Sequence, residues 1–423
     1  MVGLFGGAGM LFKNRTFRLI FVSDLLQQTA IWIRNMALLY FVLERTNGDK
    51  FAVSLLSIVE YAPIFVFSVI GGVLADRWNP KRTMIAGDLL SAASILVILV
   101  LIANDAWQSL YGAVFASAIL SQFSQPSSAK IFKARVPEEQ VPAAIGLTQS
   151  MSSLFLILGP VAGTAIYQWA GLGASLIALP ILFLLSAAVL SFLPAEQTAA
   201  APSTATLGED MRDGIRFVRS EGGLKKLLLS FALIGLGGGL VQPLEIFIVT
   251  ERLGLSPDNV QWFAAADGLG LLLGALAAAA FSGLLNLRYL FPTAVVFLGV
   301  TYAVEALSVW PILTGMFRFA NGILLAVLNT AVGSYVIAKI PGEMVGRVSG
   351  ILTPLSMGAL LIGTSVSGPL SHSGGVVTAY LTAAALCVLS AWPALGLRFM
   401  RQTPPPKKEK ETAAPADSHS ASD

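Results

Sequence analysis

A few ionisable residues stand inside stretches that are otherwise apolar enough to cross a bilayer. A charge there costs a few kcal/mol even on the lenient insertion scale, so each needs a purpose. Glu60, within Ser57-Ile58-Val59-Glu60-Tyr61-Ala62-Pro63, sits near the middle of such a stretch, and Asp24 and Asp267 sit within two others. Desolvation favours the neutral form of a carboxyl group and a nearby arginine favours the charged one. A carboxyl so placed can gain and lose a proton as water reaches it from one side or the other, which is what proton coupling requires. Glu60, Asp24 and Asp267 are therefore the proton-coupling candidates. For Glu60 the competing reading is a static pair with an arginine or a hydrogen bond to a neighbouring helix.

A second set has the chemistry of a solute cavity. In RLIFVSDLLQQTAIWIRNMALLYF, residues Asp24, Gln27, Gln28, Arg34 and Asn35 fall within about a 120° arc at helical spacing. That stripe must face the bundle interior or a water-filled space, either as a buried polar network or as a solute-binding surface. Asp24 and Arg34 are roughly 15 Å apart along a helix axis, so each needs another partner. Arg318, Asn321 and Asn329 share a face of a later segment, and Gln242, Pro243 and Glu245 follow a run of glycines. Glu245 and Glu305 approach the outer ends of their spans, where water can hydrate them. Arg318 is near enough to the outer surface to snorkel, and Asp88 groups with the loop charges.

The elements that must hold these residues are read from composition. The chain has 423 residues, 55% of them hydrophobic and 12% charged, with a mean hydropathy of +0.74. Ordinary soluble domains carry roughly 25% charged residues. Repeated apolar runs reach the roughly 20 residues that cross a hydrocarbon core. The alternating pattern of an outer-membrane barrel is absent. The chain is predicted to be an all-α membrane protein with twelve transmembrane helices, at roughly 17–43, 51–75, 83–103, 108–128, 142–168, 174–194, 225–250, 259–284, 289–309, 312–338, 344–370 and 374–397.

Of the 27 Lys and Arg, only Arg45, Lys50 and Arg252 fall in the outer loops, and Arg34 and Arg318 lie inside spans. The remainder lie on the side of the two termini, which places both termini in the cytoplasm. The opening MVGLFGGAGMLFKNRTF has its basic residues after its apolar run, the reverse of a signal peptide. The domains read as a lead-in over 1–16, a six-helix bundle over 17–194, a cytoplasmic linker with a short amphipathic helix over 195–224, a second bundle over 225–397 and a disordered tail over 398–423. Thr206 and Glu209 form a capping box for the linker helix.

The two bundles read as repeats. At a constant offset of 204, Ala134/Ala338, Pro137/Pro341, Glu139/Glu343, Val141/Val345, Gly146/Gly350, Ser152/Ser356, Leu156/Leu360 and Gly159/Gly363 are identical. Parallel repeats of this kind place a solute path between the halves near mid-membrane.

Gly72-Val73-Leu74-Ala75-Asp76-Arg77-Trp78-Asn79-Pro80-Lys81-Arg82 resembles the loop signature of the major facilitator superfamily, with Gly72, Leu74, Asp76, Arg77 and Lys81 matching. Asn79 and Pro80 replace its Gly-Arg pair. Gly146, Gly159, Pro160 and Gly163 are similar to the antiporter motif, from which Phe155 and Thr164 depart. Gly346-Arg347-Val348-Ser349-Gly350 is similar to the G-R-V-x-G of macrolide and siderophore exporters. The resemblance implies two pseudo-symmetric six-helix bundles and a drug:proton antiporter. It implies also a conformational latch in which Asp76 and its basic neighbours favour the start of span eleven, near Arg347, in one of two states.

No phosphate-binding loop is present, so ATP drive is not expected. Cys387 is the only cysteine, and His372 and His419 stand in a turn and a polar tail, so neither a metal site nor an enzyme constellation is expected. The expected function is proton-coupled export of hydrophobic or amphiphilic small molecules, with a dedicated siderophore or lipid exporter as the same-class alternative and a non-transporting sensor or scaffold as the different-class one. No cofactor beyond the proton gradient is expected. The expected partners are the solute, protons and the bilayer of a bacterial inner membrane, with no nucleic acid, and the chain is expected to act as a monomer.

Overall fold

The computed structural model describes residues 11–77, 79–137, 140–194, 207–280, 287–339 and 342–395. The side chains of Gly72, Asp76, Arg77, Gly146 and Arg347 lie outside the described set, as do Thr206, most of the linker and the tail. The Asp76–Arg347 latch and the capping box are therefore outside the described residues.

The described chain is helical throughout. The helices are α1 (Arg15–Arg45), α2 (Lys50–Arg77), α3 (Pro80–Ala103), α4 (Leu110–Arg135), α5 (Val141–Ser191), α6 (Leu207–Ser220), α7 (Gly222–Val241), α8 (Val260–Ala280), α9 (Leu287–Leu307), α10 (Pro311–Lys339) and α11 (Gly342–Leu395). Eight of the described helical stretches are long and apolar enough to cross a membrane. Two of these have double length, 42 residues over Ser150–Ser191 and 40 over Pro354–Pro393. Helices α1 and α4 are too polar to qualify alone, α1 because of the stripe read above. They pack among helices that do qualify, α1 on α5 and α4 on α2 and α3, which completes twelve crossings.

Each double-length helix breaks at a glycine. Gly171 has φ 74°, ψ 177° and Gly375 has φ 78°, ψ 166°, a region open in practice only to glycine. The two breaks are 204 positions apart, the offset at which the halves align. They turn α5 and α11 each into two antiparallel spans.

The packing repeats as well. Helix α1 lies on the first arm of α5 as α7 lies on that of α11, and α2 meets α4 as α8 meets α10. Between the halves the main helix contacts among the described residues are α2 with α11 and α5 with α8, a pair that exchanges under the same repeat. Glycines set the close approaches, since lipid supplies no hydrophobic drive between helices and short interaxial distances must. A Cβ on Gly159 would stand 2.3 Å from the Trp32 ring, and one on Gly363 would stand 2.2 Å from the Leu236 carbonyl.

Local caps explain where helices start. Asn14 accepts from the amides of Thr16 and Phe17 at 2.9 and 3.2 Å. Asn79 accepts from the Arg82 amide at 3.1 Å, with Pro80 in the first turn of α3. The Asn-Pro pair that departs from the family signature is thus a helix start. Lys81 donates to the Ser191 carbonyl at 2.7 Å and to that of Leu193, closing the C-terminus of α5.

The apolar clusters divide unequally. At the end remote from the chain termini, one core joins both halves: Leu38, Val53, Ile98 and Leu179 cluster with Leu244, Ile248, Ala306 and Tyr380. At the terminal end each half has its own core, Phe17, Met84 and Phe132 in one and Leu224, Phe291 and Val332 in the other. Among the described residues the halves therefore share a core at the remote end and pack separately at the terminal end.

Candidate functional site: a charged cavity between the halves

A cavity of about 380 Å³ lies between the two halves, lined by α1, α2, α4 and α5 on one side and by α8, α10 and the segment 242–246 that follows α7 on the other. Arg34, Asn35, Glu60, Gln242, Glu245, Asp267 and Arg318, all singled out in the sequence, line it together. Trp32, Met36, Leu39, Leu56, Leu156 and Leu271 supply an apolar wall.

On the first wall Arg34 is held on every side. Its Nη2 lies 3.3 Å from Glu60 Oε1, its Nη1 donates to Ser117 Oγ at 3.1 Å, and its Nε donates to Asn35 Oδ1 at 3.2 Å. Asn35 donates to the same Glu60 oxygen at 3.1 Å. Glu60 thus has the arginine partner named above as one of its two readings. Its neighbour Tyr61, which sequence reading passed over, accepts from Gln242 Nε2 at 2.5 Å and so bridges the halves. Adjacency to Glu60 was the only signal for it.

On the second wall Arg318 forks onto two carboxylates. Its Nε and Nη2 donate to Glu305 at 3.0 and 2.8 Å, and its Nη1 pairs with Glu245. Arg318 does not snorkel and Glu305 is not hydrated. Glu305 is 1% exposed, and the side chain of Arg318 is 12% exposed. A bidentate guanidinium–carboxylate pair explains the burial of both. A short 3₁₀ turn over Gln242–Leu244 and a π-helical turn over Ile248–Arg252 bend the end of span seven on either side of Glu245.

Asp267 has no such partner. Asn321 approaches its carboxylate, and Arg318 and Glu245 act on it electrostatically. Oδ1 is buried with no hydrogen-bond partner. The position is rigid, because a Cβ on Gly322 would stand 2.1 Å from the Asp267 carbonyl and one on Gly268 2.3 Å from Ile157 in the other half.

The remaining members of the polar stripe belong elsewhere. Gln27 donates to Asp88 Oδ1 at 2.9 Å, and Ser186 donates to Asp88 Oδ2 at 2.6 Å. Asp88 is therefore a buried, hydrogen-bonded group and not one of the loop charges. Two neutral donors satisfy it, and their distance in sequence from Asp88 hid them. Gln28 reaches only Ser152, at 3.4 Å. Asp24 stands near Asp88, a like charge, and forms no ion pair among the described residues. Asn329 is exposed. Gln27, Gln28, Asp24, Asn321 and Asn329 do not line the cavity.

Of the antiporter-motif residues, Gly159 and Gly163 seat α5 against α1. A Cβ on Gly163 would meet the Trp32 carbonyl at 2.7 Å. Pro160 lines the cavity.

A two-bundle helical fold with a charged cavity at the seam is the architecture of a membrane transporter, and the comparisons name its class. The Major Facilitator Superfamily profile matches residues 20–241 and 227–421, so the chain belongs to that family. It is a multi-pass membrane transport protein and not an enzyme.

Among its relatives, macrolide efflux protein A of Streptococcus pyogenes is 26% identical over 381 residues, 85% of this chain and 90% of that one. The multidrug efflux pump Tap of Mycolicibacterium fortuitum is 27% identical over 356 residues, 79% of this chain and 84% of that one. The uncharacterized MFS-type transporter YkuC of Bacillus subtilis is 26% identical over 363 residues, 82% and 83% of the respective chains. Among solved structures, the nucleoside transporter NupG superposes with a TM-score of 0.75 at 11% identity, covering 91% of this chain and all of that one.

Proposed function

We propose that the protein is a proton-coupled exporter of hydrophobic or amphiphilic small molecules, working by alternating access as a monomer in the bacterial cytoplasmic membrane. The observation that carries this reading is the cavity at the seam, with an apolar wall and charges of both signs, between halves whose described residues share a core at one end only. Rocking about that core exposes the cavity to the terminal end, and breaking it exposes the remote end. The basic residues of the terminal end set that end in the cytoplasm. The efflux activities in the names of the relatives support the outward direction.

Coupling needs a carboxyl that is free to change its proton. Glu60 has an arginine, Asp24 has none among the described residues, and Asp24 lies outside the cavity, so it can hold a proton while the cavity holds a solute. No cofactor is needed beyond the proton gradient, and the partners are the solute, protons and the bilayer.

Reconstituted vesicles test this. Solute-dependent proton release is expected from wild type, and Asp24→Asn is expected to lose pH-driven accumulation while keeping downhill flux. Accumulation by Asp24→Asn at the wild-type rate would remove the proton assignment, and absence of any solute flux in wild type would remove the transport reading.

A further inference from the structure

Where α7 enters the membrane at the terminal end, its lipid face carries charge. Leu229 is 53% exposed although it belongs to an apolar span, so it faces hydrocarbon. Lys225 and Lys226 precede it by four and three positions, on the same face, and both are exposed. They stand about 5 Å nearer the terminal end along the axis, and a lysine side chain snorkels from there into the headgroup layer. The repeat supplies a contrast. Leu25, the counterpart of Leu229 at the offset of 204, is 41% exposed, but Phe21 and Val22 stand where the second half has its two lysines. Helix α6 lies over the same corner, packed on α7 and α11 with Val218 in the terminal core of the second half. Its outer face gathers Arg212, Ile215, Arg216 and Arg219 within about a 100° arc, all exposed. From Arg216 to Lys226 four basic residues stand against one acid, Glu221. Arg212, Arg219 and Lys225 form no ion pair among the described residues.

We infer that the outer face of α6 and the first turn of α7 form a binding surface for an anionic phospholipid, its phosphodiester held by Arg219 and Lys225 and its acyl chain lying along Leu229. The cluster is basic, it sits at headgroup depth, and it adjoins a hydrocarbon-facing surface. A soluble anion uses the first property alone, and an acidic protein does not reach the third through the bilayer. Each basic residue near a membrane surface favours an anionic lipid about fivefold. The lipid's phosphate takes charge-assisted hydrogen bonds from the guanidinium and the ammonium. A lipid held there fastens α6, the described part of the linker between the halves, to the second half.

Native mass spectrometry of the purified full-length protein tests the surface, with phosphatidylglycerol and phosphatidylcholine of identical acyl chains as the probes. Wild type is expected to bind the anionic lipid about tenfold tighter at its first site, and the margin is expected to shrink as ammonium acetate is raised. Arg219→Gln combined with Lys225→Gln is expected to lose about tenfold for phosphatidylglycerol and nothing for phosphatidylcholine, whose retention shows that the lipid face is intact. Arg15→Gln combined with Arg18→Gln, exposed at the start of the first half, is expected to keep the preference. Equal affinity of wild type for the two lipids overturns the inference without any variant. A second-half variant that keeps the preference overturns it too. So does a first-half variant that loses as much, because the preference then belongs to the whole basic end. Displacement of phosphatidylglycerol by equimolar glycerol phosphate would show a site for soluble anions instead. The surface lies outside the cavity, so its failure and failure of the transport reading are separately visible.

Discussion

Arg34 and Arg318 answer the same problem in different dielectric surroundings. The Arg34 side chain is 8% exposed and its partner Glu60 25%, so water reaches one end of that pair. Arg318 faces Glu305, which is 2% exposed at the side chain. Removing one partner of a buried pair strands the other charge, at a cost of about 3–5 kcal/mol. Arg318→Leu is therefore expected to lower thermal stability more than Arg34→Leu, because Glu305 has no route to water and Glu60 has one. Cys387 is buried and is the only cysteine, so a thiol-reactive fluorophore reports unfolding of either variant directly. An Arg34→Leu melt at or below that of Arg318→Leu would contradict the account. The candidate charges were legible one by one because a charge in an apolar run is conspicuous. Their partners were not, and Asp88 was misjudged because Ser186, its nearer donor, is an unremarkable serine 98 positions away.

Helix packing is argued from glycines that look alike in sequence. Gly238 and Gly239 are neighbours in α7, yet a Cβ on Gly238 meets nothing within 4 Å while one on Gly239 would stand 2.0 Å from the Leu360 carbonyl. Alanine relieves the same backbone entropy at both. Gly239→Ala is expected to cost about 1–3 kcal/mol by forcing α7 and α11 apart, and Gly238→Ala to be neutral or slightly stabilising. The two melting temperatures decide it, and equal values would mean that the α7–α11 contact yields freely. The breaks at Gly171 and Gly375 were legible in part, since the short turn near Gly171 marked the boundary between two spans. Their left-handed backbone was not, because many other glycines in apolar runs serve packing instead.

For the molecule as a whole, the remote end must open for a solute to leave there, and a small set of polar contacts crosses it. Lys50 pairs with Glu251 at 2.9 Å across the halves and stands 5.7 Å above the Phe247 ring. Of the other sparse basic residues at that end, Arg45 pairs with Asp105 within its own half, and Arg252 donates to the Leu307 carbonyl. Lys50 is thus the basic residue there that ties the halves together. An ion pair this exposed contributes up to about 1 kcal/mol, so Lys50→Met is expected to raise the population open at the remote end by up to about fivefold. Distances between spin labels on the remote ends of α2 and α7 measure that population. An unchanged distance distribution would leave the apolar core as the sole closure.

The sequence by itself determined the class, the number of crossings, the repeat and the position of the basic end. Those properties follow from local polarity, from run length and from charge counts, none of which needs a partner to be known. Only the tertiary structure decided which charges meet. Glu60 lies 26 positions from Arg34, and Glu245 lies 73 from Arg318. Pairing over such separations depends on the depth and azimuth of each helix in its bundle, and those are set by glycine-sized gaps between helices that the sequence of one helix does not contain.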